Sequence, residues 1–488
     1  MRSGKLTIVK IEGIITSYLC HFVRLFVFSS ALSVAVNPGS VVLPCHPSGR
    51  IWGQSILLFV SSQIIFNFAD RLMRVLLVNT SEHTGGASIA AKRLMKALNH
   101  NGVEAQMLVR DRLTDQPGIV ALPPSPLVKA RFIMERAEIF IANHFSKTNL
   151  FAIDHASHGN DITRLQVFKE ADVIHLHWVN QGMLSLSDVS KIMKSGKPVV
   201  WTLHDMWACT GVCHQADTCE GWLKGCGHCP LLKGDSANDL SHKTYLRKQR
   251  LYQEGNIQFV TCSDWLADIC RRAPLLKGQS VVSIPNPIDT DRFSPGDKVA
   301  ARLRLGLPLD KKVLLFVAYK ATDKNKGIDY LLQAVDILRQ RDSKLADQLC
   351  MVPVGREAES LRHRFACETF PTEYVSDEDT MLDLYNAADV LTMPTLMDNL
   401  PNTIVEAMAC GVPCVGSNVG GLPQMITSGV DGYLARLRDA EDFAEGIVQV
   451  AFSPDYSQMA EAARRKAIEA YSENAVARRF IDIYNQVR

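Results

Sequence analysis

The chain is an α/β protein with two parallel-sheet domains, a reading that rests on three observations. Short apolar runs alternate with amphipathic helical segments from Met73 onward. Runs such as VLTMPT and VPCVGSN are apolar at nearly every position, as strands covered by helices on both faces are. The 488 residues exceed what one hydrophobic core organises, so two or more domains are expected. A composition of 47 % hydrophobic and 21 % charged residues is ordinary for a globular protein, and a net charge of +2 argues against a nucleic-acid binder. Of 13 cysteines, four crowd between Cys213 and Cys229. Others, such as Cys350, Cys410 and Cys414, sit in apolar runs as buried thiols do in a reducing, cytoplasmic compartment.

Residues 1–72 lack the periodicity and caps found beyond Met73. Ile51 to Ala69 is 19 residues without a charge, long enough to span a bilayer as a helix, yet it carries Gln54, Gln63 and Asn67. The run from Gly13 to Val36 is interrupted by His21 and Arg24, and no small-residue cleavage site follows a clean signal pattern. Two readings compete: a leader that associates with the inner face of the membrane, or an upstream extension whose working start is Met73. The second is favoured, because MRVLLVN is how a first buried strand begins.

Arg74 to Asn79 is predicted as that strand, Ala87 to Asn99 as a helix stopped by Gly102, and Val103 to Val109 as the next strand. Gly85 and Gly86 occupy the first strand-to-helix turn, where free amides can cradle a phosphate or sugar; a tight turn explains the pair equally well. DVIHLHW and PVVWTLHD are further strands, the second ending in His204 and Asp205. His175 and His177 share one strand face and read as packing or acceptor-side residues.

An insert over 206–232, WACTGVCHQADTCEGWLKGCGHCP at its heart, falls outside this alternation. Cys213, Cys219, Cys226 and Cys229 are separated by five, six and two residues. Four thiolates so close together suggest one structural zinc, with Gly225 and Gly227 permitting a tight knuckle. Disulfides, or a redox pair at Cys226 and Cys229, are the rivals. The insert's large apolar residues are chiefly Trp222 and Leu223, so metal ligation is expected to supply what burial cannot.

Leu240 to Tyr252 is a basic helix, IQFVTCS a strand, and DWLADICRR a helix capped at Ser263 or Asp264. VVSIPNPIDTDRFSP is a proline-stiffened linker, and the second domain begins near Pro295 with strand VLLFVAY from Val313. Lys320 closes that strand and Lys326 precedes a helix starting at Gly327, so both point where a diphosphate would sit. MVPVG, a helix around Asp379 to Ala388, and final helices from Asp439 to Val487 complete the pattern. Most informative is VLTMPTLMDNLPNTIVEAMACGVPCVGSNVGGLPQMI, from Val390 to Ile426. It reads as strand, loop, helix, strand, loop, with Asn402 as N-cap and Gly411 as the helix stop. Its helix begins after the carboxyl end of a parallel strand, so Asp398 in the loop and Glu406 on the helix can face one ligand crevice.

This stretch resembles the donor-sugar segment of glycosyltransferase family 4, the retaining nucleotide-sugar transferases of GT-B fold, in which two Rossmann-like domains face each other across a cleft. The family's two acids are separated by seven residues and the second opens a Glu-Ala-Met-Ala-x-Gly-x-Pro run; here Asp398 stands for the usual glutamate and Glu406 begins EAMACGVP. The resemblance implies that Glu406 holds the ribose and that Asp398 and His204 hold the donor sugar. It places Gly85, Gly86, Gly420, Gly421, Lys320 and Lys326 around the nucleotide sugar. Lys320 replaces an arginine, Gln424 a glutamate and Pro287 a glycine of the family pattern. The likeness covers Met73 to Arg488, divided as a first domain over 73–290, a nucleotide-sugar-binding domain over 291–473, and a helix over 474–488 crossing back to the first domain. Subgroups that make surface polysaccharides, including colanic-acid-type transferases, resemble this chain in carrying a cysteine-bearing insertion after the His-Asp pair.

The expected activity is therefore transfer of a sugar, with retention and without a catalytic cofactor, from a nucleotide sugar to a glycan or lipid-linked hydroxyl. Partners would be the nucleotide sugar, that acceptor and the membrane periphery. A nucleotide-sugar epimerase of the same fold and a non-catalytic, zinc-stabilised interaction protein are the alternatives.

Overall fold

The computed structural model describes residues 72–488, so the leader segments lie outside the described residues. Two all-parallel sheets organise the chain, a seven-stranded one in the order β3-β2-β1-β4-β5-β6-β7 and a six-stranded one in the order β10-β9-β8-β11-β12-β13. The first contains β1 (Met73–Ser81), β2 (Val103–Asp111), β3 (Ile119–Ala121), β4 (Val173–Leu176), β5 (Val199–Leu203), β6 (Gln258–Thr261) and β7 (Ser280–Ser283). The second contains β8 (Lys312–Lys320), β9 (Leu349–Arg356), β10 (Glu368–Thr369), β11 (Val390–Met393), β12 (Cys414–Ser417) and β13 (Gly432–Ala435).

Eight helices matter below: α1 (Gly86–His100), α2 (Pro126–Ala142), α3 (Leu240–Gln253), α4 (Asp264–Arg272), α5 (Ile328–Arg341), α6 (Asn402–Ala409), α7 (Ala440–Ala451) and α8 (Glu473–Val487). Parallel strands need such crossovers, and covering both sheet faces is what made the strands read as uninterrupted apolar runs. α1 buries Ala91, Leu94 and Leu98 against β1 and β2, while α5 and α7 cover the second sheet through Leu331, Val335, Phe443 and Ile447. Strand order reverses between β1 and β4 and again between β8 and β11, so a crevice opens at the carboxyl ends of those pairs.

Two passages of chain join the domains, and they pair with each other. Ile288 N–H donates to Tyr471 O at 2.8 Å, and Glu473 N–H returns a bond to Ile288 O at 3.0 Å. After that exchange α8 lays Val476, Phe480 and Tyr484 into the core beneath β1, β2 and α1. One capping expectation is corrected. Pro401 occupies the cap position of α6 and Asn402 is its first residue. The Asn402 carboxamide is drawn away by the linker, accepting from Asn286 Nδ2 at 3.2 Å. Gly411 does end the helix in the left-handed region, at φ +73°. Ser263 caps α4, accepting from Leu266 N–H at 3.1 Å.

Candidate active site

The carboxyl ends of the two sheets meet through short polar contacts. Asn399, in the loop after β11, donates through Nδ2 to His204 O at 3.0 Å and accepts from the Ser263 hydroxyl. Gln424 accepts from Asp264 N–H at 2.6 Å, so the residue that departs from the family's glutamate ties the second domain to the start of α4.

Gly85 has φ +88°, and a Cβ there would meet nothing within 4 Å. At Gly86 a Cβ would find only Asn402 Nδ2, at 3.9 Å. The amino end of α1 thus opens toward α6 with room for a ligand, and its first amides carry the partial positive charge of a helix N-terminus. Gly420 and Gly421 behave differently. Their Cβ atoms would fall 1.9 Å from Asp398 O and 1.8 Å from Asn399 O, so glycine is required for the two loops to lie together. Gly421 N–H donates to Asp398 O at 3.1 Å.

Lys326 and Asp398 form a 2.5 Å ion pair that stays partly open to solvent. Gly327 makes this possible: at φ +77° its backbone lies so close to Pro394 O that a Cβ would sit 1.8 Å away. Lys320 is not part of this group. Its amine pairs with Glu357 at 2.8 Å, both side chains about half exposed, and a register irregularity lies between Val317 and Lys320. Glu406 is buried. Arg93 of α1 pairs with it at 2.8 Å, Tyr385 donates its hydroxyl to it, and the Arg93 guanidinium lies over the Phe293 ring.

Three histidines stack at the ends of β4 and β5. His175 bonds the Tyr484 hydroxyl and Thr202 Oγ1, each at 2.7 Å. His177 lies against it with ring centroids 4.3 Å apart, and its Nδ1 meets His204 Nε2 at 3.1 Å. His204 Nδ1 faces Cys262 Sγ at 3.3 Å. Burial brings His204 down to about 4, so its ring is neutral, with Nε2 against His177 and Nδ1 against Cys262. His177 is lowered by the same cause, and its Nε2 has no partner among the described residues.

The sequence offered no signal for the group behind His204. His214, from the insert, bonds Asp205 Oδ2 through Nδ1 and Asp154 Oδ2 through Nε2, both at 2.7 Å. Burial opposes its charge, but the two carboxylates prevail and push it up to about 10. Burial would likewise raise Asp205, yet the His214 imidazolium, Trp207 N–H and Trp178 Nε1–H hold it low. A fixed imidazolium thus anchors the turn that carries His204.

Cys213, Cys219, Cys226 and Cys229 are free thiols that lie near one another, and burial pushes Cys213 up to about 12 and Cys226 up to about 11. Among the described residues no three His, Cys, Asp or Glu side chains converge so as to hold a metal ion, so the expected zinc has no ready ligand set. Gly225 and Gly227 do take positive φ, and the chain turns as tightly as foreseen. The insert also packs into the first domain. Met206, Trp207, Cys209 and Trp222 join the first domain's core. Lys248 of α3, fully buried, donates to Trp207 O and Thr210 O and lies 3.4 Å from the centre of the Trp207 ring.

Two parallel-sheet domains meeting at their carboxyl ends, with an open helix terminus on one side and a lysine–carboxylate pair on the other, make a GT-B fold. The sequence profile described as Glycosyltransferase Family 4 matches residues 84–292, and that described as Glycosyl transferases group 1 matches residues 311–451. The chain belongs to glycosyltransferase family 4. It is similar to the D-inositol 3-phosphate glycosyltransferase of Saccharomonospora viridis, at 26 % identity over 444 residues that cover 85 % of this chain and 94 % of the relative. Among solved structures it resembles sucrose-phosphate synthase from Thermosynechococcus elongatus (TM-score 0.59, 19 % identity, 85 % of this chain and 98 % of the other). It also resembles Anabaena HepE in complex with UDP-glucose (TM-score 0.55, 14 % identity, 85 % and 100 %). Among the described residues no helix is long and apolar enough to cross a membrane.

Proposed function

We propose that this protein moves a sugar, with retention of anomeric configuration, from a nucleotide sugar to a hydroxyl of a glycan or lipid-linked acceptor in cell-surface polysaccharide synthesis. The observation that carries the reading is the Lys326–Asp398 pair on one wall of the crevice with the open amino end of α1 on the other. In this proposal Lys326 and the α1 amides stabilise the departing diphosphate without a metal ion. Neutral His204 and Asp398 hold the donor sugar, and the acceptor oxygen forms the new bond as the sugar–phosphate bond breaks, its proton passing to the departing diphosphate oxygen. Glu406 accepts two ribose hydroxyls once Arg93 gives way. The solved HepE complex with UDP-glucose supports a nucleoside-diphosphate sugar as donor.

The named relatives favour a second reading of the acceptor, a phosphorylated inositol. Incubation with a panel of nucleotide sugars against lipid-linked glycans and inositol phosphates separates the two, with the product's anomeric configuration read by NMR. Transfer to a lipid-linked glycan with retention is the expected result. Nucleotide binding without transfer or donor hydrolysis on any combination would overturn the enzymatic reading.

A further inference from the structure

The 206–232 insert meets the first domain at a pair of thiols. Cys209 ends the short turn Trp207–Cys209, and Cys270 lies in the last turn of α4. Both are free and fully buried, and their sulfurs stand 3.0 Å apart although 61 residues separate them in the chain. A buried cysteine ordinarily packs as a small apolar group. Here each sulfur instead faces the other, and since a disulfide bond measures about 2.05 Å, closing the pair asks a movement of about one ångström. The backbone around Cys209 is held in place for it. Lys248 of α3 donates to Trp207 O and Thr210 O on either side of Cys209, and Tyr252 donates its hydroxyl to Ala208 O at 3.3 Å. The Cys270 contact and burial push the Cys209 thiol up, and Lys248 opposes them, favouring the thiolate that attacks an oxidant.

Both partners belong to segments that reach the crevice. The turn ending at Cys209 follows His204 and Asp205 directly. Helix α4 begins where Ser263 donates to Asn399 and Asp264 N–H donates to Gln424, and Cys262 just ahead of it faces His204. A bond between Cys209 and Cys270 would join these two segments from beneath. We propose that Cys209 and Cys270 are an oxidation site, at which a hydroperoxide closes a disulfide that staples the insert to α4. The Cys209 thiolate attacks one oxygen of hydrogen peroxide, the O–O bond breaks, and the departing hydroxide takes up the thiol's proton and leaves as water. The Cys270 sulfur then displaces the hydroxyl of the Cys209 sulfenic acid, which leaves with the Cys270 proton as a second water. Two thiols and one peroxide become one disulfide and two waters, and a dithiol reverses the change. The closed loop holds the whole insert and α3, so the bond restrains open forms of this region more than the folded one. The site stands whichever sugar or acceptor is used.

The test treats the full chain with graded hydrogen peroxide, unfolds it in acid, blocks the remaining thiols with N-ethylmaleimide and maps linked peptides by mass spectrometry. A Cys209–Cys270 link that dithiothreitol removes is expected. Hydrogen exchange across 206–232 and 264–272 should be about tenfold slower in the oxidised chain than in the reduced one. Cys209→Ser should abolish both the link and the slowing, and Cys270→Ala, which leaves the insert's own residues untouched, should do the same. The proposal is overturned if Cys209 and Cys270 are still blocked as free thiols at a dose that oxidises Cys219 or Cys229, or if either links to a different cysteine. A link without slower exchange, or equal slowing in both variants, would overturn it as well.

Discussion

Arg93 on α1 and Glu406 on α6 form a 2.8 Å ion pair that bridges the two domains, with the Tyr385 hydroxyl donating to the same carboxylate. The pair occupies the group that family resemblance assigned to the donor's ribose, so closure of the domains and nucleotide binding draw on one carboxylate. Arg93→Met should leave Glu406 short of a partner and destabilise the fold by about 3 kcal/mol, the lower end for breaking a buried pair. Denaturant titration should show much of that loss recovered in Arg93→Met/Glu406→Gln. No coupling between the two substitutions would refute the bridge.

Lys326 and Lys320 were equal candidates for the diphosphate, and the structure separates them. Lys326→Ala should weaken nucleoside-diphosphate binding by about 1.5–3 kcal/mol, the value of a hydrogen bond to a charged group. Lys320→Ala, which removes a solvent-screened pair with Glu357, should change affinity far less. Calorimetric titration of both variants decides; equal losses would return Lys320 to the site.

His214 makes stability depend on pH in a definite sense. Its folded value of about 10 lies above the ordinary 6.5, so the folded state holds a proton that the unfolded chain releases. The contribution is complete below pH 6.5 and is lost as pH rises toward 10. His204 acts in the opposite range. At about 4 in the folded state it favours folding above pH 6.5, and that contribution is lost as pH falls from 6.5 toward 4. Unfolding free energies across both windows should therefore converge with those of His214→Gln on the alkaline side. Parallel curves for wild type and variant would contradict a fixed imidazolium.

Order in the 206–232 insert is expected to depend on Lys248 and not on a metal. Lys248→Met keeps the buried volume but strands Trp207 O and Thr210 O, a loss of about 1–3 kcal/mol for groups so buried. Hydrogen exchange should accelerate across 205–232 in this variant and stay unchanged when wild type is treated with a chelator. Acceleration on chelation would restore the zinc reading.

The strands, helix faces, glycine loops and the Lys326–Asp398 neighbourhood were legible in the sequence because each is a local pattern. Apolar runs and short spacings need no knowledge of what lies across the fold. The glycines mark the limit of that legibility: Gly85 serves an open turn, whereas Gly420 and Gly421 serve contact with Asp398 and Asn399, a difference made by loops about twenty residues apart in the chain. Around the four clustered cysteines the limit is the same, since spacing cannot reveal that Trp207 enters the core and Lys248 reaches beneath it.

By itself, then, the sequence determined the α/β class, the two-domain plan and the family, all of which rest on periodicity and short motifs. Tertiary structure alone decided which charges meet. Arg93 finds Glu406, His214 finds Asp154 and Asp205, and Lys320 finds Glu357. A charge pair acts over a few ångströms, and its partners are brought within reach by sheet order and domain closure, which no local stretch of chain encodes.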